Sequence, residues 1–313
     1  MRMYPIRRPK PVGFTLVELL VVITIIGVLI ALLVVALGAA RTRVQQAAVT
    51  TEISGVGQAL RSLTTQYSVD YPPDFSVNVP LTKQQQINRY LARMFRNRNP
   101  LTDVPRGNVD TSRMRAEPQP ELFELLDPAE ALWFWLRGFS TDPQNPLFGP
   151  PITAPDLVER TPLFEFDKSR LMDLDGDGFM EYYPRYGSQQ PYIYYANYNY
   201  VANFAKPPGV SSGQLVARIG PVSTALISAP RPYLSTATAA IPNPTIKAHY
   251  AAPDTFQIIA CGLDGEFGLP VDNSNQNLWR AFAFPTGPYP DNNKLHRDNI
   301  TNFSEGTLES AMP

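Results

Sequence analysis

Residues 13–43 read GFTLVELLVVITIIGVLIALLVVALGAARTR, and this stretch decides the fold. Residues 19–37 carry no charge and are almost entirely Leu, Val, Ile and Ala. At about 1.5 Å of rise per residue, a helix over that run is long enough to cross the hydrocarbon core of a bilayer. A basic leader with Arg2, Arg7, Arg8 and Lys10 precedes the run, and Arg41 and Arg43 follow it as a positive flank. One carboxylate, Glu18, lies near its start. An ionised carboxylate in hydrocarbon is costly unless it is neutralised or paired, so Glu18 marks a functional position. A secretory signal peptide shares the basic start and the apolar stretch, but this run is too long for one. No small-x-small cleavage site closes it well either, although Ala36, Gly38 and Ala40 come near.

The small residue that matters, Gly13, stands before the apolar run, so cleavage there would leave the helix on the mature chain. Gly13, Phe14, Thr15, Leu16, Val17 and Glu18, followed by an apolar helix, resemble the processing site of type IV pilins and type II secretion pseudopilins. The resemblance implies that a membrane-embedded prepilin peptidase cuts after Gly13 and methylates Phe14. It also implies that Glu18 pairs with the N-terminal amine of a neighbouring copy as helices pack into a filament. The implied partners are other copies of the chain and related pilins, the prepilin peptidase and an inner-membrane assembly platform. The implied location is a single-pass inner-membrane protein, with the leader in the cytoplasm and the head on the periplasmic or extracellular side. Read from the residues alone, Glu18 can instead sit at the membrane surface and complement the positive end of the helix. Where the family often has proline the chain has Val35, which leaves Gly27 and Gly38 as weak points and Gly38 as the place for a kink.

No helix breaker follows Arg43. Val49, Ile53, Val56, Leu60, Leu63 and Tyr67 recur at alternating intervals of four and three residues, the stripe of an amphipathic helix. Gln45, Gln46, Thr50, Glu52, Arg61 and Gln66 fall on its other faces. The spacing predicts one helix from residue 14 to about 67, ended by Pro72 and Pro73. The expected division is a leader over 1–13, a transmembrane helix over 14–37, its amphipathic continuation over 38–70 and a globular head over 71–313.

The 32 prolines predict a loop-rich head. An apolar stripe over residues 84–95 predicts a helix, as does Asp127 followed by Pro128 ahead of Leu132, Trp133, Phe134, Trp135 and Leu136. The three aromatics read as core rather than as a binding platform. The arginines of residues 89–115, mixed with Asp and Pro, read as a solvated loop. Residues 163–166, 192–195 and 256–260 carry β-type composition between turn residues. The expected fold class is α+β and pilin-like, with a long N-terminal helix and a loop-rich head holding a small antiparallel sheet wrapped on that helix.

Two acidic stretches are candidate cation sites. Asp173, Asp175 and Asp177 occupy positions one, three and five of a calcium-type loop, with Gly176 at the sharp turn. Phe179 and Glu181 take positions seven and nine, but position twelve is Pro184 and the flanks are not helical. Three carboxylates in five residues repel one another unless a cation lies between them. The second stretch is Cys261-Gly262-Leu263-Asp264-Gly265-Glu266-Phe267-Gly268, followed by Arg297-Asp298-Asn299-Ile300-Thr301. It resembles the C-terminal end of the major pseudopilin, where calcium is held between two such segments, and Asp264 and Asp298 would be the matching carboxylates. Nearly thirty residues separate the two segments, many more than in the family loop.

A net charge of −1, with four positive charges concentrated in the leader, disfavours a nucleic-acid binder. One cysteine, Cys261, excludes an intramolecular disulfide and reads as a small buried residue. His249 and His296 lack metal-ligand spacing and read as surface residues; no nucleophile elbow or phosphate loop is present. These features imply no enzyme. The expectation is a pseudopilus subunit with calcium ordering its head loops. The alternatives are a type IV or minor pilin with a calcium-dependent adhesive head, or a binding module that uses the helix only as an anchor.

Overall fold

The computed structural model describes residues 14–75, 82–105, 119–150, 158–173, 176–187, 190–200, 232–267, 283–287, 289 and 297–313. The chain divides into two compact units, Met1–Gln45 and Gln46–Pro313.

In the first unit, helix α1 (Leu16–Tyr67) begins two residues later than the apolar pattern predicts. Thr15 explains the start. Its hydroxyl accepts from the Glu18 N–H at 3.2 Å, and the Glu18 carboxylate accepts from the Thr15 N–H at 2.8 Å. These are the reciprocal bonds of a capping box, which satisfy donors that a helix N-terminus otherwise leaves open. The helix runs unbroken past Val35 and Gly38. Its apolar side chains are exposed on every face in this unit, as for a span whose solvent is lipid. Thr24 turns its hydroxyl back to the Leu20 carbonyl at 2.7 Å, so this polar group is satisfied within the helix.

In the second unit, the remainder of α1 buries the predicted stripe: Val49, Ile53, Val56, Leu60 and Leu63 are each at most 1% exposed. Helix α2 (Lys83–Met94) adds Ile87, Tyr90 and Leu91 to the same core and is started by a capping box between Thr82 and Gln85. Helix α3 (Ala131–Leu136) is shorter than Asp127 and Pro128 predict. Asp127 does cap, accepting from the N–H groups of Ala129 and Glu130, but what it caps is a turn over 127–130 ahead of the helix. Phe134 and Trp135 are fully buried, and the Trp135 indole N–H donates to the Pro73 carbonyl at 2.8 Å. Trp133 lies at the edge of the core.

The strands are short. β1 (Phe139–Ser140) pairs with β2 (Arg160–Thr161), and β3 (Leu171–Met172) with β4 (Glu181–Tyr182), both antiparallel. β5 (Ile193–Ala196), β6 (Phe256–Ala260) and β7 (Ile300–Thr301) form one antiparallel sheet in that order, with Ile193 opposite Ile259 and Ala260 opposite Ile300. Residues 163–166 are not a strand; Phe164 and Phe166 instead pack edge to face on each other and on Tyr182.

The three-stranded sheet is covered on both faces. Tyr194, Phe256 and Ile258 face the core built on α1, whereas Ile193, Tyr195, Ile259 and Cys261 face a second core with Tyr233, Tyr250 and Tyr289. Burial on both faces explains why these strands read as continuous apolar runs rather than as an alternation. Gln257 is the polar exception, and its amide bonds to the Tyr233 N–H and C=O and to the Ala251 carbonyl, pinning the second layer to the sheet.

Candidate functional site

The features with functional chemistry are the start of α1 and two acidic loops. Gly13 lies outside the described residues. Phe14 is 75% exposed at the head of α1, with Glu18 one turn into the helix. Glu18 is already occupied within its own chain, because one carboxylate oxygen takes both the N–H and the hydroxyl of Thr15. The Thr-x-x-Glu signature of that box stands in the sequence at residues 15–18.

The first acidic loop connects β3 to β4, so it is the turn of a hairpin. Asp173 accepts from the N–H groups of Gly176, Asp177 and Gly178 at 2.8, 3.1 and 3.1 Å. Asp177 accepts from the Phe179 N–H, while the Phe179 ring packs against Phe134 in the core. Glu181 is buried in β4. Asp175 lies outside the described residues. A cation already stands in this region: Lys83 donates to the carbonyls of Glu124 and Leu126. Burial pushes the Lys83 ammonium down, and the charges of Asp127, Glu130, Glu124 and Asp177 oppose that shift. The loop is thus held chiefly by its own backbone, with a protein cation near Asp177.

The second loop is built differently. β6 delivers Cys261 and Gly262, and the turn after them brings Asp264 against Asp298, which enters from the segment ahead of β7. Asp298 accepts from the N–H groups of Leu263 and Asp264 at 2.8 and 3.1 Å through one oxygen. Its other oxygen is buried with no hydrogen-bond partner. Burial and the adjacent Asp264 push the Asp298 carboxyl up to about 7. The approach requires glycine at 262, which has φ +72°; a Cβ there would lie 2.3 Å from the Asp298 carboxylate. The two carboxylates therefore meet despite their separation in sequence. The segment that carries Asp298 is fixed by Asn302, which accepts from the Ile258 N–H and donates to the Phe256 carbonyl, extending the β6–β7 pairing.

Among the described residues, no three His, Cys, Asp or Glu side chains converge as a metal-binding group. Calcium takes six to eight oxygens, including backbone carbonyls, so a carboxylate pair in a tight loop can supply part of a shell.

Three residues play parts that the sequence does not announce. Glu52, on a polar face of α1, accepts from the hydroxyls of Tyr182 at 2.6 Å and Tyr192 at 2.7 Å and forms an ion pair with Arg170. Burial alone would raise its carboxyl, but the bonds from Arg170, Tyr182 and Tyr192 hold it below the usual carboxylate value. Arg98, expected in a solvated loop, instead has a side chain only 4% exposed and bonded to the fully buried Asp103. His249 is half-buried, with Nδ1 accepting from the Asn243 N–H, whereas His296 lies outside the described residues. Cys261 is buried and donates to the Gly187 carbonyl, and burial pushes its thiol up to about 12.

No protein-family model matches the chain, and comparison with curated proteins and with solved structures finds no significant match.

Proposed function

We propose that the chain is a structural subunit of a type II secretion pseudopilus, processed after Gly13, methylated on Phe14 and polymerised through α1. One observation carries this reading: the order Gly13, Phe14, Glu18 leads directly into a single helix whose apolar side chains are exposed on every face over residues 16–44. Burial of that surface among like helices replaces lipid contacts, and the carboxylate then answers a new amine on another copy. The capping box adds a step. Glu18 leaves or shares its bonds with Thr15 when it meets the neighbouring N-terminus. The function is assembly, not turnover.

Asp264 and Asp298 are the better placed of the two candidate calcium sites. Their paired carboxylates and the unsatisfied Asp298 oxygen fit a cation, whereas Asp173 is already engaged by three backbone N–H groups. Bound calcium would neutralise that repulsion and tie the β6 turn to the β7 segment.

Mass spectrometry of protein purified from its native membrane is expected to find N-methyl-Phe14 as the first residue; an intact leader would refute the processing step. Glu18→Gln keeps an acceptor for Thr15 but removes the charge. It is expected to leave the protein inserted and helical yet absent from filaments, and wild-type filament yield would refute the role in pairing. Loss of secreted proteins in cells lacking the chain supports the pseudopilus, whereas loss of surface fibres alone supports a type IV pilin.

A further inference from the structure

Among the described residues, the end of α3 carries more positive charge than its neighbours neutralise. Arg137 follows α3 and lays its guanidinium over the Trp133 ring at 4.4 Å, with Phe134 at 5.4 Å and Phe148 at 5.3 Å. The rings cover the faces of the guanidinium and leave its in-plane N–H groups to find acceptors. Nη2 makes a long bond of 3.4 Å to the Leu147 carbonyl, and Nε is buried with no acceptor. Arg160, from β2, donates to the Gly138 carbonyl at 3.1 Å and to the same Leu147 carbonyl. Two guanidiniums therefore converge on one neutral oxygen.

The carboxylate whose charge reaches both is Asp103, and it is fully engaged elsewhere. One of its oxygens takes Arg98 at 2.5 Å, and the other takes the N–H groups of Leu147 and Phe148. Among the described residues, no ion pair involves Arg137 or Arg160. Arginine does not lose its proton at physiological pH, so an anion is the group that would neutralise this excess. Both residues are half-buried, so the dielectric around their charges is lowered.

We propose that Arg137 and Arg160 form a binding site for a carboxylate or phosphate group at the end of α3. Planar forks of N–H donors suit the paired oxygens of either group. The group arrives as a free oxyanion or as an acidic side chain of another polypeptide. The site is independent of the assembly role proposed for α1.

The test uses the full chain in non-ionic detergent at constant ionic strength, titrated with sodium phosphate in one arm and a capped hexaglutamate peptide in the other, with sodium chloride as the control. Trp133 lies against Arg137, so its fluorescence reports occupancy. A saturable fluorescence change is expected, with a Tm rise of roughly 5 °C at about one hundred times Kd. The arm that saturates at lower concentration identifies the source of the anion. Arg160→Gln is expected to weaken binding about tenfold or more. Arg160→Lys keeps the charge without the fork; it is expected to show the same loss and stands in if the glutamine variant does not fold. Responses no larger than that to chloride, or unchanged affinity in a folded Arg160 variant, would overturn the site.

Discussion

Glu52 illustrates how much one carboxylate does once it is half-buried. It takes two tyrosine hydroxyls and an arginine on the face where α1 meets the head. Glu52→Gln is expected to cost about 2 kcal/mol, the scale of hydrogen bonds to a charged group, read as a lower denaturation midpoint at pH 7. Its folded-state carboxyl is held below its unfolded value, so its contribution is present at neutral pH and lost as pH falls through the folded value. The wild-type protein is therefore expected to lose more stability than Glu52→Gln on acidification below the carboxylate range, and parallel pH profiles would contradict this. Gly262 is the backbone counterpart. Gly262→Ala places a Cβ on the Asp298 carboxylate in a left-handed backbone and is expected to cost about 2 kcal/mol, measured by thermal unfolding in the presence of chelator. If Asp264 and Asp298 hold calcium, the wild-type Tm rises on adding calcium and that of Asp298→Asn does not.

At the scale of elements, α1 and the sheet depend on each other. Leu60 is fully buried, and Leu60→Ala is expected to destabilise the head by about 3 kcal/mol, whereas Leu32→Ala, on an exposed face of the same helix, is expected to leave the denaturant midpoint unchanged. The amphipathic stripe of α1 was legible because helical periodicity is local in sequence. The runs at 192–195 and 256–260 were legible as strands for a similar reason, within one residue of β5 and β6. Residues 163–166 carry the same composition and form no strand. Their aromatic rings pack on Tyr182, and strand propensity reflects packing opportunity more than backbone preference. The start of α3 was misplaced because Asp127 caps a turn over 127–130 that runs ahead of the helix, and cap chemistry alone does not distinguish the two.

At the scale of the molecule, the apolar part of the first unit and the cored second unit call for different solvents. The full chain is expected to float with liposomes in a density gradient, whereas a chain beginning at Gln46 is expected to remain in the dense soluble fractions with its helical and tyrosine signals intact. Recovery of both in the lipid fraction would show that the head binds membrane on its own.

The sequence by itself determined the apolar helix and its buried stripe, because each is written within a few turns of chain; the capping box of Thr15 and Glu18 stands in the same stretch but was recognised only from its hydrogen bonds. It also named both acidic loops. Only the tertiary structure decided that Asp264 and Asp298 meet, that Glu52 is anchored by two tyrosines and an arginine, and that Arg137 and Arg160 share one carbonyl. Those contacts join residues far apart in the chain, through close approaches that depend on packing, glycine geometry and the burial of charge, and local sequence pattern carries no record of them.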